Sequence, residues 1–395
     1  MGNLNNTLKL RFPEFKEEWI TKPLIELSEN GFSNGAFNDP KKVGSGYRII
    51  NVKDMYIDGT INIDNLTRVA LDENEFQKNR VEYGDLFFTR SSLVKEGIAY
   101  SNVNLNRVDD LTYDGHLIRM RPNKKIALPT FLYYCFSTST ARTQFIQRGK
   151  TTTMTTIGQE DIASVEISFP SLPEQTKIAN FLTAVDDKLS QLKKKKSLLE
   201  EYKKGVMQKI FSQELRFKDE NGADFDEWEE KKLGNCLDYE QPTNYLVSST
   251  EYQDNYETPV VTAGKTFILG YTDETTGIFN NNLPVIIFDD FTTATQFVNF
   301  PFKAKSSAMK ILKAKKDINI KFIYEAMQMI NYEIGGHGRH WISVFSDMYI
   351  LIPSLPEQTK IANFLSALDD KMNQCGVQIE KMEGWKKGLL QKMFL

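Results

Sequence analysis

Apolar residues in two long stretches of the chain recur alternately four and three positions apart. Eight of ten positions on this stripe are apolar in the first stretch and nine of ten in the second, and no proline follows the first turn of either. The stripes are Ile178, Leu182, Val185, Leu189, Leu192, Lys196, Leu199, Lys203, Val206, Ile210 and Ile361, Leu365, Leu368, Met372, Cys375, Ile379, Met382, Lys386, Leu389, Met393. A period of 3.5 residues over roughly five heptads predicts two coiled-coil helices, each about 60 Å long.

Each stretch opens with a sequence typical of a helix N-terminus. The hydroxyl of Ser171 can accept from a backbone amide in the first turn, Glu174 can reach back to the backbone of Ser171, and Pro173 is tolerated there. Ser354 to Glu357 repeats the pattern. We therefore expect a capping box at the start of both helices.

Two lysines interrupt the apolar stripes at equivalent positions, Lys203 and Lys386. Three roles are open to them. They can lay their aliphatic stems along the stripe with the ammonium group in water, fix the register of the helices, or face a partner.

The segments before each helical stretch contain short β-rich runs and one apolar helical segment, near residues 129–147 in one and 320–334 in the other. The β-rich runs are Tyr47 to Val52, Gly84 to Phe88, Leu117 to Met120, Val165 to Phe169, Val260-Val261, Pro284 to Phe288, Met309 to Leu312 and Tyr349 to Ile352. This mixture predicts two globular heads of mixed α/β fold.

The chain is an internal duplication. Pro170 to Leu182 reads PSLPEQTKIANFL, Pro353 to Leu365 reads the same, and from these starting points 25 of 42 positions are identical at an offset of 183. The expected order is a first head (1–170), a first spacer helix (171–212), a second head (213–353) and a second spacer helix (354–395). A chain that closes on itself in this way is expected to have a pseudo-two-fold axis, antiparallel helices and heads at opposite ends. Homodimerisation through the same stripes is the alternative.

Composition places the chain among globular proteins of more than one domain, with 395 residues, 41% hydrophobic and 26% charged. No apolar run is long enough to span a bilayer and the first residues do not resemble a secretory signal, so we expect a cytoplasmic protein. Cys135, Cys236 and Cys375 form no metal or redox motif and are expected to be buried free thiols.

Charge is unevenly distributed behind a net charge of -3. The spacer helices carry +4 and +1, the first head is neutral and the second head carries -8. Seven lysines of the second head nevertheless fall close together in sequence, which leaves a one-sided basic face open. They are Lys303, Lys305, Lys310, Lys313, Lys315, Lys316 and Lys321.

Polar loops between the strands contain the residue types that bond phosphates and base edges. The candidates for such contacts are Arg90, Ser91, Lys150, Thr151, Thr152 and Thr153 in the first head and Lys265, Thr293, Lys305, Arg339 and His340 in the second. His337 and His340 lack a third nearby ligand, so we predict no metal site. Sequence divergence between the heads, against near identity of the helices, indicates that each head binds something different.

Motifs of catalysis and nucleotide binding are missing from the chain. Gly149-Lys150-Thr151 and Gly264-Lys265-Thr266 match the end of a P-loop but lack its first glycine, and neither a dinucleotide-binding motif nor the tetrapeptide of amino-methylating enzymes occurs. Asp289-Asp290 fits a strand-end turn better than a catalytic carboxylate pair. The sequence therefore predicts a binding protein without catalytic residues.

Two diverged heads alternating with two near-identical helices that open with PSLPEQ resemble the specificity subunit of type I restriction-modification systems. The resemblance extends over essentially the whole chain and includes the Phe-acidic-Trp segments ending at Trp19 and Trp228, and Gly84 to Phe88. It implies that the heads are target-recognition domains and the helices are spacers. The implied target is double-stranded DNA with two short specific halves separated by a fixed stretch of unread bases.

The resemblance also implies partners and divides the chemistry among them. Two modification (methyltransferase) subunits would bind S-adenosylmethionine and flip an adenine out for N6 methylation, and restriction subunits would translocate and cleave DNA with ATP and magnesium. No cofactor is expected on this chain and no membrane is involved.

Three alternatives are open at this stage: a two-headed protein-binding scaffold, a bipartite transcriptional repressor, and a stand-alone DNA methyltransferase or nuclease, which the missing motifs disfavour. Co-purification of methyltransferase subunits from the native host discriminates among them.

Overall fold

A computed structural model describes residues 10–37, 40–264, 266–332 and 340–394. The chain divides into two compact units, one containing residues up to Lys193 together with Val377 onward, the other containing Lys194–Gly376. Both boundaries fall inside long helices. Among the described residues, no helix combines the length and apolar character that crossing a membrane requires.

The first unit combines short strands with helices. Its elements are β1 (Ile20–Pro23), α1 (Leu24–Leu27), β2 (Ser28–Asn34), β3 (Val43–Ile50), β4 (Arg68–Val69), α2 (Glu73–Asn79), β5 (Leu86–Thr89), β6 (Ser91–Ser92), β7 (Ser101–Val103), β8 (Leu111–Tyr113), β9 (Leu117–Pro122), α3 (Pro129–Phe136), α4 (Ser139–Arg148), β10 (Lys150–Thr151), β11 (Thr155–Thr156), α5 (Gln159–Ala163), β12 (Glu166–Phe169) and the start of α6 (Leu172–Phe211).

Strand β5 lies inside the first unit's main sheet, of order β2-β9-β5-β7, and both of its faces are buried. Leu86 and Phe88 point into the larger core with α3 and α4, whereas Phe87 points to a second cluster around Tyr113. Burial on both faces explains why this strand reads as a continuous apolar run rather than an alternating one.

The second unit repeats this plan with different residues. After α6 its elements are β13 (Glu229–Lys232), α7 (Leu233–Cys236), β14 (Leu237–Glu240), β15 (Thr258–Val261), β16 (Ile268–Thr272), β17 (Val285–Asp289), β18 (Thr295–Val298), β19 (Lys303–Ala304), β20 (Met309–Ala314), α8 (Ile320–Gln328), α9 (His340–Ser343), β21 (Tyr349–Ile352) and α10 (Leu355–Met393). Strand β17, in the sheet β14-β20-β17-β18, has Ile286 and Phe288 in one core cluster and Val285 and Ile287 in the other.

The two predicted long helices are confirmed as α6, of 40 residues, and α10, of 39 residues. Every position of both predicted stripes is buried or half-buried. Within the first unit Phe181 contacts Trp385, and Lys193 pairs with Glu383. Residue numbers therefore increase along α6 while those of the contacting residues in α10 decrease. The helices are therefore antiparallel there, as predicted, and the stripes are covered within one chain.

The eight predicted strands are confirmed, as are the three buried free cysteines. The single helix predicted near residues 129–147 is wrong, because the chain forms α3 and α4 there. Thr138 accepts a hydrogen bond from the amide of Ala141 and so starts a new helix. The helix predicted to reach residue 334 ends at Gln328.

Candidate nucleic-acid interface

A small antiparallel sheet in the first unit brings together candidate residues that are far apart in sequence. Strand β11 pairs with β6 on one side and with β10 on the other. Thr156 lies opposite Ser91 and Lys150, and Thr155 lies opposite Ser92 and Thr151. The two polar segments that sequence alone treats as separate loops therefore form one surface.

This surface, which we call the β6-β11-β10 face, carries exposed donors on a fixed backbone. Arg90 donates its amide to the carbonyl of His116 at 3.3 Å and accepts from the amide of Ile157 at 3.0 Å, while its side chain is exposed. The side chain of Lys150 is 75% exposed and lies 3.3 Å from Asp161. Thr152 and Thr153 are exposed in the turn between β10 and β11. Cationic groups and hydroxyls in such an arrangement suit phosphate oxygens and base edges.

His116 belongs to the same surface but was not singled out from the sequence. Its side chain is 65% exposed, and its Nδ1 lies 2.7 Å from Asp114 Oδ1. A lone histidine between two strands has no sequence signal, and only the pairing of its carbonyl with the amide of Arg90 places it beside the other candidates.

The second unit does not assemble its described candidates into one sheet. Lys305 follows β19 in the sheet β16-β15-β19, is half-buried and lies 3.1 Å from the hydroxyl of Tyr252. Thr293 lies in the turn between β17 and β18, with a φ of 58° and its amide bonded to the carbonyl of Asp289. Lys265 and Arg339 lie outside the described residues.

His340 is only 5% exposed and therefore offers DNA little surface. Its amide donates to the carbonyl of Asp290 at 3.0 Å, and its ring nitrogen lies 3.3 Å from the hydroxyl of Tyr332. Asp290 also accepts from the amide of Trp341 and forms an ion pair with Lys310 at 2.8 Å, both side chains being 1% exposed. The strand-end turn predicted for Asp289-Asp290 is confirmed, because the carboxylate of Asp289 accepts from the amides of Phe291 and Thr292.

The basic face left open for the second head is not formed. Lys303 and Lys310 are buried, Lys303 in an ion pair with Glu274 at 2.6 Å. Lys313 pairs with Glu240, Lys315 with Asp238, and Lys321 with Glu325. Proximity in sequence does not place these lysines on one face, because strand β20 and helix α8 turn several of them toward carboxylates or into the core.

The identical PEQ segments at the helix starts anchor the heads. Glu174 is 1% exposed and accepts from Nε and Nη2 of Arg11 at 2.7 Å each, and from the indole of Trp19 at 3.4 Å. The predicted capping box is therefore wrong, since the carboxylate is taken by a guanidinium from the start of the head. A buried carboxylate held by a bidentate arginine is the geometry that compensates its desolvation.

The second unit repeats this anchor with equivalent residues. Glu357 accepts from Arg216 at 3.1 and 2.9 Å and from the indole of Trp228 at 3.1 Å. The hydroxyl of Ser354 is buried without a hydrogen-bond partner, so it makes no cap. The anchor residues of the two units therefore match, although the rest of the two heads diverged.

The glutamine of each segment makes a second anchor. Gln175 accepts from the amide of Leu128, which precedes α3, and donates to the carbonyls of Ile126 and Pro170. Gln358 likewise accepts from the amide of Asn319, the N-cap of α8. These bonds satisfy backbone groups that the helix N-termini leave unpaired.

Comparison with known proteins identifies the family of this duplicated chain. The family described as Type I restriction modification DNA specificity domain matches residues 16–201 and again residues 225–381. The chain belongs to this specificity family. Two copies of the domain favour DNA recognition in two parts over the scaffold alternative, and membership of a restriction-modification family disfavours the repressor alternative.

Individual specificity-family relatives match to different extents. The EcoR124I/EcoR124II specificity subunit of Escherichia coli is 49% identical over 145 residues, which are 34% of this chain and 36% of that protein. The MjaX relative from Methanocaldococcus jannaschii is 25% identical over 405 residues, covering 98% of this chain and 95% of that one. The chain thus spans about a third of the first relative and nearly all of the second.

A solved specificity-family structure supports the fold. The S subunit from the type I restriction-modification system of M. genitalium superposes with a TM-score of 0.67 at 16% identity, covering 98% of this chain and 99% of the other. At this identity the likeness concerns the fold alone.

The second unit of this specificity-family chain ties its head to the helices through charge. Glu325 of α8, which is fully buried, lies 2.9 Å from Lys203 and 2.6 Å from Lys321, and Lys321 lies 2.7 Å from Asp369. Burial acts to raise the pKa of Asp369, but the hydrogen bonds from Lys203 and Lys321 outweigh it and leave that pKa below its usual value. In the first unit, Tyr134 instead donates to Asp186 at 3.0 Å.

Proposed function

We propose that this chain is the DNA-reading subunit of a type I restriction-modification complex and that each unit reads one half of a bipartite site. The observation that carries this proposal is the pair of anchors: equivalent Arg-Glu-Trp and glutamine contacts hold two heads that otherwise differ. Equivalent anchors that hold different heads suit a protein whose two heads contact one DNA duplex and recognise different base sequences.

In the first unit the reading surface is the β6-β11-β10 face, with Arg90, Ser91, Lys150 and the threonines 151–153. A ribbon of strands fits the major groove, where hydroxyls and guanidinium groups meet base edges and phosphates. In the second unit Lys265, Thr293, Lys305 and Arg339 stand as the proposed readers. The long helices keep the number of unread base pairs between the half-sites constant.

The chemistry belongs to partner subunits in this proposal. Two modification subunits supply S-adenosylmethionine and methyl transfer, and restriction subunits supply ATP- and magnesium-dependent cleavage. The helices carry docking positions for the modification subunits. Trp385 is 50% exposed and Tyr202, 183 positions earlier, is 53% exposed, and aromatic side chains of this kind are enriched in protein interfaces.

Reconstitution tests the proposal. Purified chain is mixed with radiolabelled S-adenosylmethionine and unmethylated DNA, with and without the modification subunits of the same host. We expect methyl transfer only in the mixture, at sites with two specific halves at one spacing. Methyl transfer by the chain alone, or sites that do not depend on this chain, would overturn the proposal.

A further inference from the structure

An apolar tip stands at one end of the β6-β11-β10 face. Leu93 is 87% exposed and Val94 is 60% exposed, directly after β6. Because Ser92 lies opposite Thr155, Leu93 and Met154 come to the same end of the sheet, and Met154 is 38% exposed. Leu93 is thus far more exposed than its hydrophobicity alone favours.

The loop behind this tip is held in place by its own contacts. Arg142 of α4 donates to the carbonyls of Glu96, Ile98 and Ala99 at 2.8, 2.6 and 2.7 Å. The amide of Val94 donates to the hydroxyl of Ser92 at 3.3 Å. These bonds hold the backbone at Val94 and from Glu96 to Ala99 in the conformation in which Leu93 is exposed.

Close packing at Gly97 and the backbone conformation of Ala99 also restrict the loop. A β-carbon added at Gly97 would come within 2.5 Å of the Ser92 hydroxyl oxygen, so a side chain there would displace Ser92. Ala99 has a φ of 49°, and its amide donates to the carbonyl of Thr89 in β5 at 3.1 Å. An alanine in the left-handed region costs about 1 kcal/mol or more. Such a conformation persists only where the surrounding structure determines it.

We propose that Leu93, supported by Val94, reads thymine by contact with its C5-methyl group in the major groove. The proposal rests on the function proposed above and names a reader for the first unit. The same face carries Arg90, Lys150 and hydroxyl groups, whose charge and donors suit the phosphates and base edges that flank the groove. The thymine methyl is the apolar group that base pairs display there, and leucine has no donor with which to read anything else.

The test compares thymine with deoxyuridine, which lacks only this methyl group. The assembled complex with its modification subunits is titrated with its bipartite duplex, in which every thymine of the first unit's half-site is replaced by deoxyuridine. We expect the wild-type complex to bind the uridine duplex about fourfold more weakly for each methyl group that Leu93 covers. Replacement in the other half-site should give the same loss, if any, in wild type and in Leu93 variants.

Variants locate the effect at Leu93. The Leu93→Ser complex should bind the thymine duplex as weakly as the wild-type complex binds the deoxyuridine duplex, and deoxyuridine should cause it no further loss. The Leu93→Met complex should still bind the thymine duplex more tightly than the deoxyuridine duplex. Ile25→Ser, which changes an aliphatic side chain that is 48% exposed elsewhere in the unit, is the matched control and should behave as wild type.

The outcomes separate this inference from the function on which it rests. A wild-type complex that binds its site specifically but does not distinguish thymine from uridine overturns the role of Leu93 alone. So does a Leu93→Ser complex that keeps the distinction, or one that fails to assemble with the modification subunits, which would make the tip a protein contact. A complex that shows no preference for any half-site overturns the proposed function itself.

Discussion

Lys203 of α6 forms an ion pair with Asp369 of α10 at 2.7 Å, inside the second unit. The equivalent residues of the first unit, Lys386 and Asp186, form the same pair at 2.6 Å. Of the three roles open to the stripe lysines, the ion pairs favour the fixing of register, because each ammonium group meets a carboxylate on the opposite helix. Both pairs join residues that occupy equivalent positions in the duplicated sequence.

Replacing Lys203 by methionine should destabilise the second unit. The change leaves Glu325 and Asp369 to share Lys321, and removing one partner of a fully buried pair costs roughly 3 to 5 kcal/mol. We expect about 2 kcal/mol here because Asp369 is 26% exposed and water screens part of the loss. Urea unfolding measures it, with Lys204→Met, an exposed neighbour, as the control. Equal stability of the two variants would contradict a stabilising role for the ion pairs of Lys203.

Replacing Arg216 by lysine should loosen the second head although the charge is kept. An ammonium group cannot reproduce the bidentate bond to Glu357, which is fully buried, so we expect a loss of about 2 kcal/mol. Limited proteolysis should then cut between residues 213 and 228 faster than in wild type. Lys218→Arg, at a side chain that is 61% exposed, should leave the cleavage rate unchanged. An unaltered pattern in Arg216→Lys would show that the anchor needs only charge.

Acid should weaken the second unit through Asp369. Its pKa is lower in the folded than in the unfolded chain, so its contribution to the free energy of unfolding is complete above the unfolded value of about 4 and disappears as the pH falls through the folded value. We expect Asp369→Asn to be less stable than wild type at pH 7 and the difference to shrink below about pH 4. Urea midpoints from pH 7 to pH 2.5 measure this. Asp370→Asn, at an exposed neighbouring side chain, should show no comparable trend.

Arg90→Ala should relax recognition in one half-site and leave the other unchanged. An arginine that reads guanine contributes about 1 to 3 kcal/mol of discrimination, so substitution should broaden the methylated motif at one position. Methylome sequencing of strains carrying the variant measures this, and Arg107→Ala, an exposed arginine of the same unit, is the control. Broadening of both halves at once would refute independent reading. An unchanged motif would remove Arg90 from the readers.

Trp385→Ala should remove one modification subunit from the complex without affecting DNA preference. Tyr202→Ala should remove the other, because the two residues occupy equivalent positions on the helices. Native mass spectrometry counts the bound subunits. Lys387→Ala, at an exposed position of α10, should retain both. Full occupancy in both aromatic variants would place the docking surface elsewhere.

The sequence by itself determined the duplication, the two long helices and eight of the strands in the heads. These features depend on local repetition and on the period of apolar positions, which can be read without knowing what each residue faces. All ten positions of each stripe are buried or half-buried, including Lys203 and Lys386. The resemblance to the specificity family rested on the same repetition, and the family match confirmed it.

Only the tertiary structure decided which polar groups meet. Glu174 has the spacing of a capping box, yet it binds Arg11, 163 residues away in the chain. Lys310 reads as a surface lysine, yet strand pairing places it in the core against Asp290. Ser91 and Lys150 share a sheet because β11 lies between them. Such contacts depend on the geometry of segments distant in sequence, and a buried charge takes whichever partner the packing brings within hydrogen-bond distance.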